Sequence, residues 1–376
     1  MKKNAISFFA LLLVISSTFA QRSIIVSNSS DNDRKAEMVD IKISNLKTCF
    51  KKKSYVLKNN KGEEVPYQLV YYGKEMPQRF IFQAVVNAKS TAKYMLIEGQ
   101  PAIVKPKTSA RFVPERKDDL AWENDLAAYR MYGPALAKEN PSNGVDLWLK
   151  CTDELVVDKR YRDELKNGLS YHVDHGTGMD CYTVGHTLGA GGIAAFASDS
   201  LWIGNHYDHY KVVENGPLRS VFTLTYDSVL VGNVYLKQEI TITANAGSAL
   251  NKAEVRFIGA SQKMELATGV FLHDGNGNLQ LNAKDGIVAY AEDAISGAKI
   301  PSGRNYVGVF VPVKTNSALR KSFHGILLTK YKVGKTFTYY FGGGWSKWIY
   351  PTDNDWFNAM TKFKKSVEKP LKVSII

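Results

Sequence analysis

Cysteine is scarce in this chain: only three of its 376 residues, Cys49, Cys151 and Cys181, carry a thiol. So few thiols cannot build the disulfide scaffold that stabilises small secreted domains. An oxidising compartment would still allow two of them to pair, and a bond between Cys151 and Cys181 would join the ends of the basic segment 159–166. Because an inert buried thiol is the commoner case, a nucleophilic role for Cys181 is not favoured.

Long apolar runs are missing after the first 20 residues. No later stretch reaches the roughly 18 residues that span a bilayer, so we expect no membrane span. The N-terminus has Lys2 and Lys3, an apolar run over residues 5–14 and small residues at a cleavage-type position. This pattern predicts a signal peptide at residues 1–20 that is cleaved before Gln21, and a periplasmic or secreted mature protein.

Compact basic motifs and Walker-type phosphate loops are absent from the sequence, so neither nucleic acid nor a nucleotide is expected as a partner. Positive charge is nevertheless in excess, with 49 Lys and Arg against 36 Asp and Glu, a formal net charge of +13. Removal of Lys2 and Lys3 leaves 47 against 36, or +11. For an exported protein this charge favours an acidic carbohydrate as partner. The alternative is that the charge only aids solubility.

Alternating apolar and polar residues dominate the chain after residue 36, which predicts strands rather than helices. Turn residues such as Gly232 and Gly247 separate successive runs, as in an antiparallel meander. We therefore predict an all-β fold, one large antiparallel sandwich with few short helices, in a single domain over residues 21–376 with a possible seam near 101–114. The strand-like runs of the second half are residues 220–229, 234–244, 253–258, 267–272, 287–291, 306–313, 325–332 and 336–341.

Helical patterns are few. Residues 158–167 form a short charged candidate, and residues 352–367 form a stronger one. In the second, four apolar residues share one face at helical spacing, and Thr352 with Asp355 resembles a capping box. This C-terminal helix is expected to cover the sheet.

The segment 111–132 mixes charged and aromatic residues without a clean period. Aromatic rings stack on sugar rings, and guanidinium groups bind carboxylates, so this mixture is typical of a carbohydrate site. Glu123 and Asp125 are candidates for an acid and base pair on a glycosidic bond. The alternative is a salt-bridged connection between sheets. The substrate-binding candidates here are Arg116, Trp122, Arg130 and Tyr132.

The segment 171–182, YHVDHGTGMDCY, concentrates ionisable groups in twelve residues between turn-forming glycines. A histidine or a tyrosine here could abstract the C5 proton of a uronate while a cation neutralises the substrate carboxylate. The same side chains suit a metal site, and a hydrogen-bonded structural loop is the alternative. The catalytic candidates are His172, His175, Asp180 and Tyr182; the metal-ligand candidates are His172, Asp174 and His175.

Two further segments extend this picture. Residues 205–210, NHYDHY, add His206 and His209 as metal-ligand candidates, so a divalent cation such as Ca²⁺ or Zn²⁺ is a conceivable cofactor. Residues 342–348 place Trp345 and Trp348 after three glycines, where the rings would be free to stack on a sugar or to pack in the core.

Four motifs in order resemble the exported bacterial domain of unknown function 4861 family: WENDLAAYRMYG at 122–133, YHVDHGTGMDCYTVG at 171–185, NGPLRSVFTLTY at 215–226 and FGGGWSKW at 341–348. That family is similar to the galactose-mutarotase-like group. The resemblance implies a large antiparallel β supersandwich with a sugar site on a concave sheet, and a role in the degradation of pectin-like uronate glycans. It assigns no catalytic residues.

Together these features predict a carbohydrate-active protein, an enzyme on an acidic glycan or oligosaccharide, with β-elimination preferred to glycoside hydrolysis. A non-catalytic sugar-binding or accessory protein is the alternative from a different class. A mutarotase or epimerase of a released sugar is the third.

Overall fold

The computed structural model describes residues 22–48, 50, 52–139, 144–260, 263–273 and 275–376. The predicted signal peptide at 1–20 and Cys49 lie outside these residues. Within them, no helix is both long and apolar enough to cross a membrane.

Strands make up about 50% of the chain and helices 11%, which confirms the all-β prediction. Strands β1 to β12 are Arg22–Asn28, Arg34–Lys42, Tyr55–Lys58, Tyr67–Val70, Arg79–Val86, Ser90–Glu98, Thr108–Val113, Asp119–Asn124, Ala128–Met131, Asp146–Trp148, Gly192–Ala197 and Ser200–Trp202. Strands β13 to β24 are His209–Asn215, Arg219–Val231, Val234–Asn245, Leu250–Ile258, Lys263–Phe271, Asn278–Asn282, Ile287–Ile295, Pro301–Phe310, Ser317–Lys321, His324–Lys332, Phe337–Trp345 and Lys372–Ile375. The helices α1 to α3 are Ile43–Leu46, Val157–Asn167 and Asp353–Glu368, with short 3-10 turns at Pro114–Arg116 and Pro134–Leu136.

The two largest sheets pack face to face as the predicted supersandwich. The eight-stranded sheet has the order β13-β14-β15-β16-β23-β20-β19-β18, and the five-stranded sheet has the order β12-β11-β17-β22-β21, with antiparallel neighbours. Phe222, Val288 and Leu327 are fully buried in the core between them. Alternation in the sequence found these strands because one face of each meets this core.

A smaller sandwich precedes them. Sheets β24-β1-β6-β3 and β2-β5-β4 enclose a separate core that includes Ile24, Phe80 and Leu96. The last strand, β24, closes this sandwich by pairing antiparallel with β1. Residues 101–107 then lead to the larger body without regular secondary structure. The single-domain assignment with a seam near 101–114 stays a prediction.

The sheet β10-β9-β8-β7 lies between the main core and α2. All six residues of β8 are buried, because one face meets the main core and the other meets α2. A strand buried on both faces shows no alternation, which is why segment 111–132 has no readable period. Helix α2 confirms the charged helix that the sequence predicted at 158–167.

Helix α3 covers the outer face of the eight-stranded sheet. It begins after Thr352, which forms the predicted capping box with Asp355. Trp356 and Met360 are buried against the sheet, and the Trp356 indole donates to the Val307 carbonyl at 3.1 Å. The predicted apolar stripe is therefore core, as expected of a clamp.

We expect Trp356→Ala to lower the free energy of unfolding by about 3–5 kcal/mol, because it empties a buried site of a large ring. Thr352→Ala is the matched change on the same helix and should cost only about 1 kcal/mol, the value of a capping hydrogen bond. Urea denaturation followed by circular dichroism measures both. Equal and small losses would mean that α3 is not anchored through Trp356.

Candidate functional site

A buried arginine organises the segments that the sequence singled out. Arg130 on β9 is 2% exposed and lies between Asp146 and Asp180. Its Nε donates to Asp146 Oδ2 and its Nη2 to Asp180 Oδ2, each at 2.9 Å. Asp119 Oδ2 lies 3.6 Å from Nη1. Three carboxylates thus converge on one guanidinium.

Strand register brings these groups together. Asp146 on β10 stands directly opposite Arg130 on β9. An isolated antiparallel bridge between Trp148 and Asp180 attaches the segment 171–182 to the free edge of β10. The loop is therefore an extension of this sheet, held at one end by a carboxylate on Arg130.

Aromatic rings enclose the guanidinium. The Cζ atom of Arg130 lies 4.7 Å from the ring centroid of Tyr132, 5.0 Å from Trp148 and 5.6 Å from Tyr171. The hydroxyls of Tyr132 and Tyr171 each accept from it at 3.2 Å. Cation–π contacts of this kind are strong when water is excluded. We call this set the Arg130 cluster, and its members are Arg116, Asp119, Arg130, Tyr132, Asp146, Trp148, Tyr171 and Asp180.

Three acids face two arginines inside the cluster, and the pKa values of two of the acids are raised. Burial raises the pKa of Asp119 to about 6, although Arg130 and Arg116 oppose the shift. Burial also raises the pKa of Asp180 well above its ordinary value, and the charge of Asp146 adds to this effect. Among the described residues, Oδ1 of Asp119 and Oδ1 of Asp146 have no hydrogen-bond partner. A proton on one of these acids would relieve the repulsion.

His172 lies beside the cluster, at the protein surface. Its side chain is 48% exposed, and Nδ1 donates to the Asp180 carbonyl at 2.9 Å. Because Nδ1–H is used in this bond, the neutral ring presents its Nε2 lone pair. Arg116, with a side chain 25% exposed, donates from Nε to the Tyr171 hydroxyl at 3.4 Å. The Tyr171 ring packs against His172 at 4.6 Å between centroids.

The structure gives Glu123 and Trp122 structural places, which corrects two predictions. Glu123 is 2% exposed and accepts from Lys150 Nζ at 3.1 Å and from the Val156 and Val157 amides at the start of α2. Because its carboxylate is buried and already accepts these hydrogen bonds, Glu123 is not available to act on a glycosidic bond. Trp122 is 1% exposed and stacks in the main core, so no ring face is open to a sugar.

Asp125 is also occupied. It lies in the turn after β8, 7% exposed, where Oδ1 accepts from the Gly247 amide at 2.6 Å. The predicted acid and base pair of Glu123 and Asp125 is therefore wrong, because both carboxylates stabilise connections between elements.

Tyr182 is buried rather than poised as a base. It is 2% exposed, and burial together with the nearby charge of Glu292 raises its pKa well above the ordinary value. A phenol whose ionised form is disfavoured cannot abstract a proton at neutral pH. Tyr132 is 9% exposed and belongs to the wall around Arg130, so it offers no open stacking surface.

The glycine run 342–344 serves packing. A side chain at Gly343 would meet the Tyr306 carbonyl at 2.3 Å, and one at Gly344 would meet the Tyr350 ring at 2.9 Å. Trp345 beside them is 1% exposed and donates to the Ser302 carbonyl, so its predicted sugar contact is wrong. Trp348 is half-buried, and its role in binding stays a prediction.

The predicted metal ligands do not assemble. Among the described residues, no three His, Cys, Asp or Glu side chains form a group that could hold a metal ion. His175 Nε2 donates to the Ser170 carbonyl at 2.9 Å, and Asp174 Oδ1 accepts from two amides of its own turn. His209 pairs with Asp227 on β14 at 2.8 Å, and His206 is 6% exposed. The predicted ligands for Ca²⁺ or Zn²⁺ therefore do not form a metal site.

Cys151 and Cys181 are free thiols, so the suggested bond between them does not form. Burial raises the pKa of both, which agrees with inert thiols.

Sequence reasoning missed one contact near this segment. His273 Nδ1 lies 2.6 Å from Glu292 Oε1, and Nε2 lies 2.6 Å from the Thr183 carbonyl. The Tyr182 ring packs on this imidazole. Only the tertiary arrangement joins them, since no local motif contains either residue. Both ring nitrogens already face oxygen partners, so the pair holds the loop rather than offering a base.

We expect Arg130→Met to lower the free energy of unfolding by about 3–5 kcal/mol at pH 7, because it leaves buried carboxylates without a counter-charge. Adding Asp180→Asn should recover part of the loss. Arg304→Met, which breaks the partly exposed pairs with Asp293 and Asp353, should cost about 1 kcal/mol or less. Denaturant titrations would contradict this if the two arginine variants lost equal stability.

Asp119 should make stability depend on pH. Its pKa rises from 3.8 to about 6 on folding, so the stabilising proton is fully present below pH about 4 and is lost as the pH rises through 6. Asp119→Asn should therefore gain stability relative to wild type between pH 4 and 7, by on the order of 3 kcal/mol. Asp153→Asn, at an exposed acid, is the control. A flat difference across this range would show that Asp119 does not hold the proton.

Known proteins resemble this chain in sequence or in fold. A protein of Formosa agariphila described as "Uncharacterized protein P7" is 30% identical over 312 residues, 78% of this chain and 77% of the relative. A glycosyl hydrolase family 38 protein from Enterococcus faecalis has a similar fold, with a TM-score of 0.52 at 10% identity, and an α-mannosidase from E. faecalis V583 has a TM-score of 0.50 at 8% identity. Each likeness covers 95% of this chain but only 47% and 46% of the solved structures, so the chain spans about half their length.

The family assignment rests on the sequence itself. One protein family matches this chain over residues 26–373, a range that includes all four motifs noted above. The chain belongs to the family described as Domain of unknown function (DUF4861).

Proposed function

We propose that this chain is an exported protein that acts on an acidic, uronate-containing carbohydrate, with β-elimination as the leading reaction. The observation that carries the proposal is the exposed His172, held by the Asp180 carbonyl, together with the partly exposed Arg116, which donates to the hydroxyl of Tyr171, the ring that packs on His172. The proteins with a similar fold are a glycosyl hydrolase family 38 protein and an α-mannosidase, which favours a carbohydrate as the ligand class.

Each group has a definite task in this reaction. The Nε2 lone pair of His172 takes the proton from the carbon beside the uronate carboxylate. Arg116 neutralises the charge that develops on that carboxylate. The bond to the glycosidic oxygen then breaks, a carbon–carbon double bond forms, and the imidazolium returns its proton to the leaving oxygen. Asp180 and Tyr171 are positioning residues, because they hold His172 and Arg116 rather than contact substrate.

The test is incubation with pectin-like uronate glycans while following the absorbance of the new double bond. His172→Ala should lower kcat by about 10²–10⁴-fold, the usual contribution of a general base. His186→Ala removes an exposed histidine with no assigned task and should leave the rate unchanged. Arg116→Lys should raise KM more than it lowers kcat, since a lysine keeps the charge and loses the fork.

Other outcomes would redirect the proposal. New reducing ends without the double bond would mean hydrolysis, and binding without turnover would mean an accessory protein. A His172→Ala variant as active as wild type would overturn the assignment of the base.

A further inference from the structure

A groove of about 960 Å³ lies between the N-terminal sandwich, α3 and the turn from β15 to β16. Its walls come from three remote parts of the chain, residues 31–38, 245–252 and 340–370. No member of the Arg130 cluster lines it. Its volume is at the upper end of the roughly 300–1,000 Å³ that small-molecule sites occupy, and so exceeds what one sugar ring requires.

Aromatic residues form one wall. Tyr340 and Tyr350 line the groove, and both are half-buried. The Tyr340 ring is held at 5.9 Å from Phe310 and 5.1 Å from Phe363, so it is fixed before a ligand arrives. Rigid aromatic rings are suited to sugars, because the apolar face of a sugar ring stacks on them.

The free charge of the groove is positive. Lys35 and Lys362 line it, are exposed, and make no ion pair with a described residue. Lys365 in the last turn of α3 and Lys369 just after the helix are close enough to lower the pKa of Asp31, after the larger effect of Lys89.

The acids of the groove are already used by the protein. Asp31 pairs with Lys89 at 3.0 Å and Glu37 pairs with Arg34 at 2.8 Å. Asp33 accepts from the Ala88 amide at 2.8 Å. An incoming anion therefore meets two unpaired ammonium groups, whereas Asp31 and Glu37 are paired with cations and Asp33 accepts from a backbone amide.

We propose that this groove binds an anionic oligosaccharide of several sugar residues, as a site separate from the Arg130 cluster. Tyr340 and Tyr350 contact rings and hydroxyls, and Lys35 and Lys362 contact the acidic groups. The ligand class rests on the proposed function, whereas binding at the groove does not require that His172 act as a base.

Calorimetric titration with a hexameric oligogalacturonate tests the proposal. The double variant Lys35→Glu, Lys362→Glu should bind at least about tenfold more weakly than wild type. Lys332→Glu, Lys335→Glu changes the net charge equally at two exposed lysines outside the groove and should bind within about threefold of wild type. Tyr340→Phe should weaken binding, with the loss unchanged by salt.

The two sites can be separated. His172→Ala should bind the hexamer as wild type does. The groove variant should bind the hexamer more weakly, and its KM should rise more for the hexamer than for a trisaccharide. If no uronate glycan is cleaved but the hexamer still binds, the proposed function is wrong and the groove proposal stands. No hexamer binding at millimolar concentration, equal binding of a neutral hexasaccharide or of an acidic peptide, or equal loss in both lysine pairs would overturn the groove proposal. An unchanged Tm in the lysine variants confirms that they fold.

Discussion

The positive charge of Arg130 in a water-excluded interior is the constraint on which this region depends. A buried ion without partners costs several kcal/mol, so the fold must supply carboxylates and ring faces around it. Asp146 comes from the neighbouring strand, and Asp180 comes from a loop about 50 residues away. The same contacts that satisfy the charge fix the loop 171–182 on the sheet, and hence place His172 at the surface.

In this arrangement, the residues that stabilise the structure differ from those that are accessible to a substrate. Most residues that resemble catalytic groups are buried and occupied: Glu123 caps a helix, Tyr182 supports an imidazole, and Asp180 compensates a guanidinium. Of the predicted catalytic and substrate-binding side chains, His172 and His175 are exposed, and Arg116 and Trp348 are half-buried. Many of the ionisable residues that cluster in the sequence are therefore there because a buried charge needs partners, and not because they act on a substrate.

The positive net charge has a place in the tertiary structure. Lysines from the N-terminal sandwich and from α3 meet across one groove, whereas the acids beside them are paired with other groups. Two surfaces of different design therefore serve one class of ligand in the proposed function. In that proposal His172 and Arg116 supply a base and a guanidinium, and the groove supplies length, aromatic rings and unpaired ammonium groups.

The sequence by itself determined the all-β class, the long strands of the second half, α2, the capped C-terminal helix and the family. These follow from local periodicity, turn residues and contiguous motifs, which one chain segment contains in full. Tertiary structure alone decided which candidates are open to solvent. Trp122 and Trp345 resemble stacking surfaces in the sequence, but the fold buries both of them. Four histidines resemble a metal site, but three of them bond to other groups and His206 is buried. Burial and hydrogen bonding depend on residues far apart in the chain, so no local pattern could reveal them.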